Sequence, residues 1–573
     1  MSGADESFDV VVVGSGGAGV AAALSARHHG VTAVVLERSD KLGGTTAVSA
    51  GVPWIPNNHH MDEIGSSDSR EQALTYLRAL SLGGMDLELA EVYVDEAPEL
   101  LQFLETETPL SFSAISLPDY HPEKPGGTAG RSVEPALFPV GELGDLRPHL
   151  RSTPCIPIPL CWQDLQDGLD SLDLQAVGDR IAKGLVGTGE ALMAGLIKGA
   201  VDKGVEFRRN ARARRLVIED GTVVGLEYEA GGETRTIAAR RAVILASGGF
   251  EWNEELVKDH VAGPVEASLS PPFNEGDGLI MAMEARAAIA NMKEAYWMPA
   301  LGIPGEEYDG RQLYRLTGGE RANPRSIMVN RAGKRFVNEA HNYSDVGRAM
   351  HNFDEMAFDY PNLPAWIVVD DDFMKRYPFG PRLPGEPVPD WLETGATLRE
   401  LAGRIEVDPD GLEATVERFN DHVARGSDPD FGRGTSRYDL AFADRSRRGA
   451  LQTLGPIENA PFYACRVYSG VLGTKGGAKI NARSEVLDPR GEPIDGLYAA
   501  GNVSAGFTGM AYPGGGGTVG PALVFGHIAG RNAAARENAF QGRPRTPPVP
   551  AQPCSPVATP GVRPSPRGSK ADR

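Results

Sequence analysis

The stretch FDVVVVGSGGAGVAAALSARHHGVTAVVLERSD, residues 8–40, narrows the possible folds more than any other part of the chain. Asp9 to Val13 is an apolar run that reads as a buried strand. Gly14, Gly16 and Gly19 follow in the GxGxxG pattern, with Gly17 and Ala18 between them, and an alanine-rich helix comes next. A second apolar strand, Ala33 to Leu36, ends at Glu37 and Arg38. Glycines there let the backbone approach a pyrophosphate. The helix N-terminus supplies unpaired N–H groups and a positive dipole, and the acid accepts from a ribose hydroxyl. A lone GxGxxG would be weak, but strand, glycines, helix, strand and acid fall in order, which predicts a dinucleotide site on a βαβ unit.

At 573 residues the chain exceeds one ordinary core, so two domains or one α/β domain with an inserted module are expected. No run approaches the roughly 18 apolar residues of a membrane span. The first eight residues are short, acidic and unlike a signal peptide. A formal net charge of -20 argues against nucleic acid as the main partner, since phosphate backbones are held by clustered Lys and Arg. Cys155, Cys161, Cys465 and Cys554 show no CxxC or CxxCH spacing, which suggests a reducing compartment with neither structural zinc nor attached haem. The expectation is a cytoplasmic protein, free or peripheral to the membrane, with no span.

Which dinucleotide is read downstream. KLGGTTAVSAGVPWIPNN, residues 41–58, places Gly44, Thr45, Thr46 and Ser49 where small side chains can lie along a flavin's ribityl chain, although a plain Gly/Ser/Thr loop looks the same in isolation. AVILASGGF, residues 242–250, is a buried strand ending near Gly248, preceded by a hairpin with an Asp-Gly turn. NEGDGLIMAMEA, residues 274–285, starts a helix at Asp277, and IDGLYAAGNV, residues 494–503, is a late strand delivering Gly501 and Asn502. GMAYPGGGGTVGPALVFGH, residues 509–527, then sets Tyr512 against four consecutive glycines before a helix that begins near Thr518 and Val519, with Pro521 in its first turn. A helix N-terminus aimed at a flavin stabilises negative charge on the reduced ring, and bare glycines let backbone N–H groups reach a substrate.

Together these segments resemble the FAD-binding half of the fumarate reductase and 3-ketosteroid dehydrogenase superfamily. The resemblance implies an α/β fold: a Rossmann-like FAD-binding domain, residues 8–292 and 471–541, split by an inserted α+β catalytic domain, residues 293–470. GVLGTKGGAKIN, residues 470–481, resembles that family's return into the flavin domain. The Pro-, Ser- and Arg-rich tail, residues 542–573, is expected to be disordered.

The resemblance also implies catalytic roles. Tyr512 and Gly516 match the tyrosine and glycine N–H that hold a 3-ketone in the 3-ketosteroid 1-dehydrogenases. Tyr343, in GKRFVNEAHNYSDVGRAM, residues 333–350, matches the proton-abstracting tyrosine. Tyr120, in LPDYHPEKPGG, residues 117–127, with GRSVEP behind it, matches the tyrosine that assists it. Taken alone, Tyr120 and Tyr343 would read as half-buried packing residues, and His121 competes with Tyr120 as the polar partner. Arg335 and Glu339 read as a structural charge network. His59 and His60 read as solvated loop residues with no third ligand, so no metal is expected.

Departures fall around the site. Asn342 stands where relatives commonly have proline, and Met510, Ala511 and Gly514 to Gly516 replace their His-Thr and Gly-Pro-Gly. The segment ALGIPGEEYDGRQLYRLTGG, residues 300–319, is expected to border the pocket. The implied reaction is FAD-dependent introduction of a C=C bond α,β to a ring ketone, 3-ketosteroid 1,2-dehydrogenation first. Electrons would pass to an external acceptor such as a quinone. The alternatives are another cyclic ketone, the steroid 4,5-bond, an enoate or fumarate-type reductase, and a flavin-binding protein without turnover. Residues 509–526 contain no arginine, which disfavours a dicarboxylate substrate.

Overall fold

The structure, a computed structural model, describes residues 4–166 and 172–539. The opening strand, Glu6–Val13, lies between two parallel neighbours, Ala33–Leu36 and Glu233–Leu245. Glu206–Arg208 extends the sheet on one side, while Pro493–Ala499 and Glu485–Leu487 extend it on the other. Val10, Val11 and Val12 are fully buried. A parallel strand covered on both faces has no reason to alternate, hence the unbroken valine run. Register is the important result: Val13 pairs with Leu36 and Leu245, and Leu245 with Ala499, so four strands end at one carboxyl edge.

Helix Gly17–His28 packs on helix Val519–Ala535. Glycines in the later helix explain how closely they meet: a Cβ on Gly526 would stand 2.3 Å from Ala18 O, and one on Gly530 2.1 Å from Ala22 O. The expected hairpin forms from Ala211–Glu219 and Thr222–Ala230. Asp220 and Gly221 both have positive φ, as a type I′ turn requires.

A second, seven-stranded sheet runs in the order Arg311–Leu316, Ala295–Tyr308, Phe462–Thr474, Ala365–Asp370, Ser326–Val329, with short strands Ala267–Ser268 and Glu393–Gly395 on the long central one. Here the pattern alternates. Ile367 and Val369 point into a cluster with Phe373 and Phe379, and Val368 points to the opposite cluster with Leu412 and Phe419. Phe462–Thr474 leaves this sheet at Thr474, whose hydroxyl accepts the Phe250 N–H at 3.0 Å beside the first, eight-stranded sheet. The hairpin expected to border the pocket has its tip at Arg151 and Ser152, where Tyr308 Oη donates to Ser152 O at 2.9 Å. Among the described residues no helix is long and apolar enough to cross a membrane. The Pro-rich tail expected to be disordered, residues 542–573, lies outside the described residues.

Candidate active site

The aligned strand ends deliver Gly14, Glu37, Gly248 and Gly501 to one edge, where open α/β sheets bind ligands. Gly14 turns with φ 105°, and a Cβ on it would lie 2.4 Å from Ala246 O. Gly16 is different: its nearest atom would be Thr46 Oγ1 at 4.0 Å, leaving the backbone open to a ligand. The second glycine turn comes against the first, a Cβ on Gly44 falling 3.2 Å from Gly16 Cα, and Thr46 Oγ1 accepts from the Gly17 N–H at 3.1 Å. Thr45 Oγ1 accepts from Asn274 Nδ2 at 3.0 Å, and Ser49 Oγ donates back to Thr46 O at 2.8 Å.

Glu37 is 8% exposed and accepts from Ser15 N–H, Ser15 Oγ and Ser39 N–H. A carboxylate has roughly four acceptor positions, so one is left for a ribose hydroxyl. Arg38 and Asp277 lie together beneath the cradle, tied at 3.2 Å and joined to Glu275 and Arg212. Ser247 Oγ is buried without a protein partner. A half-open cavity follows, lined by Gly501, Asn502, Thr518, Tyr296, Lys475 and Phe507, with Val519 opening the 17-residue helix beside it. Open glycine backbone, an acid with spare capacity, an orphan hydroxyl and a helix N-terminus fit a flavin dinucleotide.

Beyond the cavity stands a cluster of tyrosines from three distant segments. Tyr343 Oη donates to Tyr512 Oη at 3.1 Å, and Tyr512 Oη shares a 2.9 Å hydrogen bond with Thr518 Oγ1. Tyr120 meets Tyr343 and Tyr512 edge-on, centroids 5.4 and 5.1 Å apart. All three phenols are pushed up by burial, Tyr343 and Tyr120 well above the ordinary tyrosine value. Gly516 has φ +89°, and a Cβ there would stand 2.0 Å from Val52 O. Among the described residues no group accepts its N–H, while its carbonyl accepts from Trp54 N–H at 3.2 Å.

Local chemistry explains why Tyr343 sits there. Asn342, the residue in the place of proline, caps the helix Tyr343–Ala349 by accepting from Asp345 N–H at 3.0 Å. Arg321, buried, donates to the carbonyls of Glu339 and His341 and so grips the loop just before the tyrosine. Arg335 and Glu339 do form a buried charge network, bidentate at 2.7 Å and shared with Asp428 and Arg433. His121 turns to Asp345 Oδ2 at 3.1 Å, beside His341, whereas the Tyr120 ring packs on Tyr343. Burial opposes charge on His341, yet its bonds to Asp345 and Asp439 raise it to about 9.

Sequence reasoning missed three members. The Tyr296 ring lies tilted against Tyr512, centroids 5.1 Å apart, and Tyr438 meets Tyr120 edge-on, also at 5.1 Å. Lys475 Nζ donates to the carbonyls of Gly509 and Ala511, at 3.1 and 2.6 Å, while lying 4.7 Å from the Tyr296 ring centre. Burial pushes its amine down to about 7. A single lysine among glycines carries no pattern, and no signal in the sequence marks it. His59 and His60 also differ from expectation: Glu105 supplies the third group that the linear sequence hides.

The fold and site define a flavin-dependent oxidoreductase of the CH–CH dehydrogenase type. The FAD binding domain family matches residues 9–519. The chain is 40% identical to 4-oxocyclohexanecarboxylate 2-dehydrogenase of Sinomonas cyclohexanicum, covering 92% of this chain and 93% of that protein. It is 37% identical to 3-oxosteroid 1-dehydrogenase of Mycolicibacterium smegmatis, covering 92% and 98%. The crystal structure of 3-ketosteroid delta1-dehydrogenase from Sterolibacterium denitrificans, in complex with 1,4-androstadiene-3,17-dione, superposes with a TM-score of 0.87 at 34% identity over 92% of this chain and 99% of that one. The chain belongs to the FAD-binding family that contains the 3-ketosteroid dehydrogenases, and it is an FAD-dependent dehydrogenase.

Proposed function

We propose that this enzyme introduces a C=C bond next to the carbonyl of a 3-ketosteroid, at the 1,2-position. The observation that carries the reading is the convergence of Tyr343 and Tyr120 on Tyr512, which stands four positions before the strained Gly516. Tyr512 Oη and the Gly516 N–H hold the ketone oxygen and polarise it, which acidifies the adjacent carbon. Tyr343, assisted by Tyr120 packed edge-on against it, removes that proton. Bound FAD supplies the acceptor for the hydride that leaves the β-carbon. Gly14, Gly16, Glu37, Thr45, Thr46 and Gly501 hold it in this reading. Lys475 fixes the carbonyls on either side of Met510 and thereby the clamp loop. An external acceptor such as a quinone reoxidises the flavin, in a cytoplasmic setting.

A smaller cyclic ketone is the second reading, favoured by the 40% identity to the oxocyclohexanecarboxylate enzyme and by the altered residues Met510, Ala511 and Gly514. A dicarboxylate is disfavoured: Arg348 is the arginine that reaches the clamp loop, through Met510 O at 3.2 Å, and Glu294 neutralises it at 2.8 Å. The test is anaerobic mixing of the yellow holoenzyme with a 3-ketosteroid, 4-oxocyclohexanecarboxylate or succinate. Bleaching by the steroid is expected. Bleaching by the small ketone alone would select the second reading, and bleaching by succinate alone would end the ketone clamp.

A further inference from the structure

We infer that His59, His60 and Glu105 form a binding site for a divalent cation of the zinc class, separate from the flavin cradle and the tyrosine cluster. The groups come from two elements. His59 and His60 precede the short turn Met61–Ile64, and Glu105 lies in the last turn of the long helix Leu87–Glu107. His59 Nε2 stands 2.8 Å from Glu105 Oε2, and His60 Nε2 stands 2.8 Å from Glu105 Oε1. Two imidazoles and one carboxylate thus converge, with all three ligand atoms within 4.8 Å of one another. His₂Glu is a ligand set that zinc takes with an open position for water.

The surroundings are those of a metal site rather than of two surface ion pairs. His60 Nδ1 faces Glu63 Oε1 at 2.6 Å, and Glu63 Oε2 accepts from Ala114 N–H at 3.2 Å. A carboxylate on the outer ring nitrogen orients the imidazole and leaves the inner nitrogen's lone pair for a cation. Without a cation, His60 has to present hydrogens to two different carboxylates at once. Backbone contacts hold the remaining parts: Asn58 Oδ1 accepts from His60 N–H at 3.1 Å, and Glu105 Oε1 also accepts from Phe112 N–H at 3.2 Å. His59 is 37% exposed, so water has access. Bonds of about 2.0–2.2 Å in tetrahedral arrangement space ligand atoms about 3.3 Å apart, half an ångström beyond the present 2.8 Å, a small adjustment for side chains at the surface.

Two other His and carboxylate clusters exist among the described residues, and one of them, His121, His341 and Asp345, has a lesser claim. Both rings there point at one oxygen, Asp345 Oδ2, at 3.1 and 3.3 Å, rather than at two oxygens, and that same oxygen accepts from Asn342 Nδ2 at 2.8 Å. A cation at His59, His60 and Glu105 would staple the 55–64 loop to the long helix. That loop leads back to Trp54, whose N–H supports Gly516 O.

The experiment uses FAD-loaded protein freed of metal by a chelator. Zinc is titrated against a chromophoric indicator, and Co²⁺ serves as a visible-absorption probe of coordination. One zinc per chain is expected, with a rise in thermal midpoint and intense Co²⁺ bands. His59→Gln with His60→Gln should weaken binding at least about 10-fold and abolish the midpoint shift, and Glu63→Gln should weaken it by about 10-fold through loss of orientation. Midpoints without metal and FAD content report whether these variants fold. Failure of wild type to bind zinc, or binding unchanged in the double variant, or binding removed by His121→Gln instead, would each overturn the assignment.

Discussion

Tyr343 donates its phenolic hydrogen to Tyr512 across 3.1 Å, joining the first turn of a helix near the second sheet to the clamp loop ahead of the flavin-type helix. Tyr512 passes the contact on to Thr518 at that helix's N-terminus. In the proposed reading a ketone oxygen entering between Tyr512 and Gly516 accepts the Tyr512 hydrogen, which Tyr512 otherwise shares with Thr518, and the adjacent carbon comes to Tyr343. Tyr343→Phe keeps the ring packing and deletes the phenol. FAD content should stay at wild-type level while turnover falls about 10²- to 10⁴-fold. Tyr512→Phe should raise the barrier by roughly 3 kcal/mol, as loss of one oxyanion donor does, with Gly516 still in place. Steady-state turnover of both variants, with flavin content measured alongside, checks this; near-normal turnover in fully flavinated Tyr343→Phe would remove it as the base.

Activity should climb toward alkaline pH. Burial, reinforced by Tyr512, holds Tyr343 well above the ordinary tyrosine value, so its ionised fraction is small at neutrality and grows with pH. The measurement is the rate of anaerobic flavin reduction from pH 6 to 10, using about one decade per pH unit as the upper limit of the slope. A rate that falls over this range would rule out proton removal by a raised-pKa phenol.

Lys475 has the opposite sign. Burial lowers its amine to about 7, below the roughly 10.4 of an unfolded lysine. Between those values the unfolded chain binds more protons, so this group makes the fold more stable as pH rises, and its penalty is complete below pH 7. Lys475→Met removes that slope but leaves the carbonyls of Gly509 and Ala511 unpaired, each costing about 1–3 kcal/mol. The difference between wild-type and variant urea unfolding curves at pH 7 and pH 10 should therefore widen with pH. A constant difference would mean the amine is not buried and uncharged at high pH.

Gly516→Ala should be far more damaging than Gly515→Ala. A methyl at 516 would collide with the backbone oxygen of Val52 at 2.0 Å from a φ of +89°, whereas at 515 it meets the Leu117 side chain at 2.7 Å, which can turn away. Ketone KM and thermal midpoint of the two variants decide this. Equal behaviour would show that the loop reshapes freely.

Glu37→Arg should yield colourless, destabilised protein. The carboxylate accepts from Ser15 twice and from Ser39 once, so the change breaks the turn as well as the ribose contact. Absorbance of the purified variant near the flavin band is the readout, and a fully yellow protein would place the nucleotide elsewhere.

The linear order of residues was enough to determine the flavin-type half. GxGxxG between a valine run and Glu37 is a local pattern, because strand, turn and helix are neighbours in the chain and their geometry follows from residue type alone. The roles proposed for Tyr343 and Tyr512 come only from resemblance, since a tyrosine has no intrinsic sign of catalysis. Tertiary structure decided what lies between distant segments: Lys475 under the clamp loop, Tyr296 and Tyr438 around the phenols, Asn342 as a cap, and Glu105 beside His59 and His60. Burial is what gives these groups their chemistry. The desolvation that lowers Lys475 and raises Tyr343 depends on which chain segments fold over them, and a one-dimensional sequence carries no record of that cover.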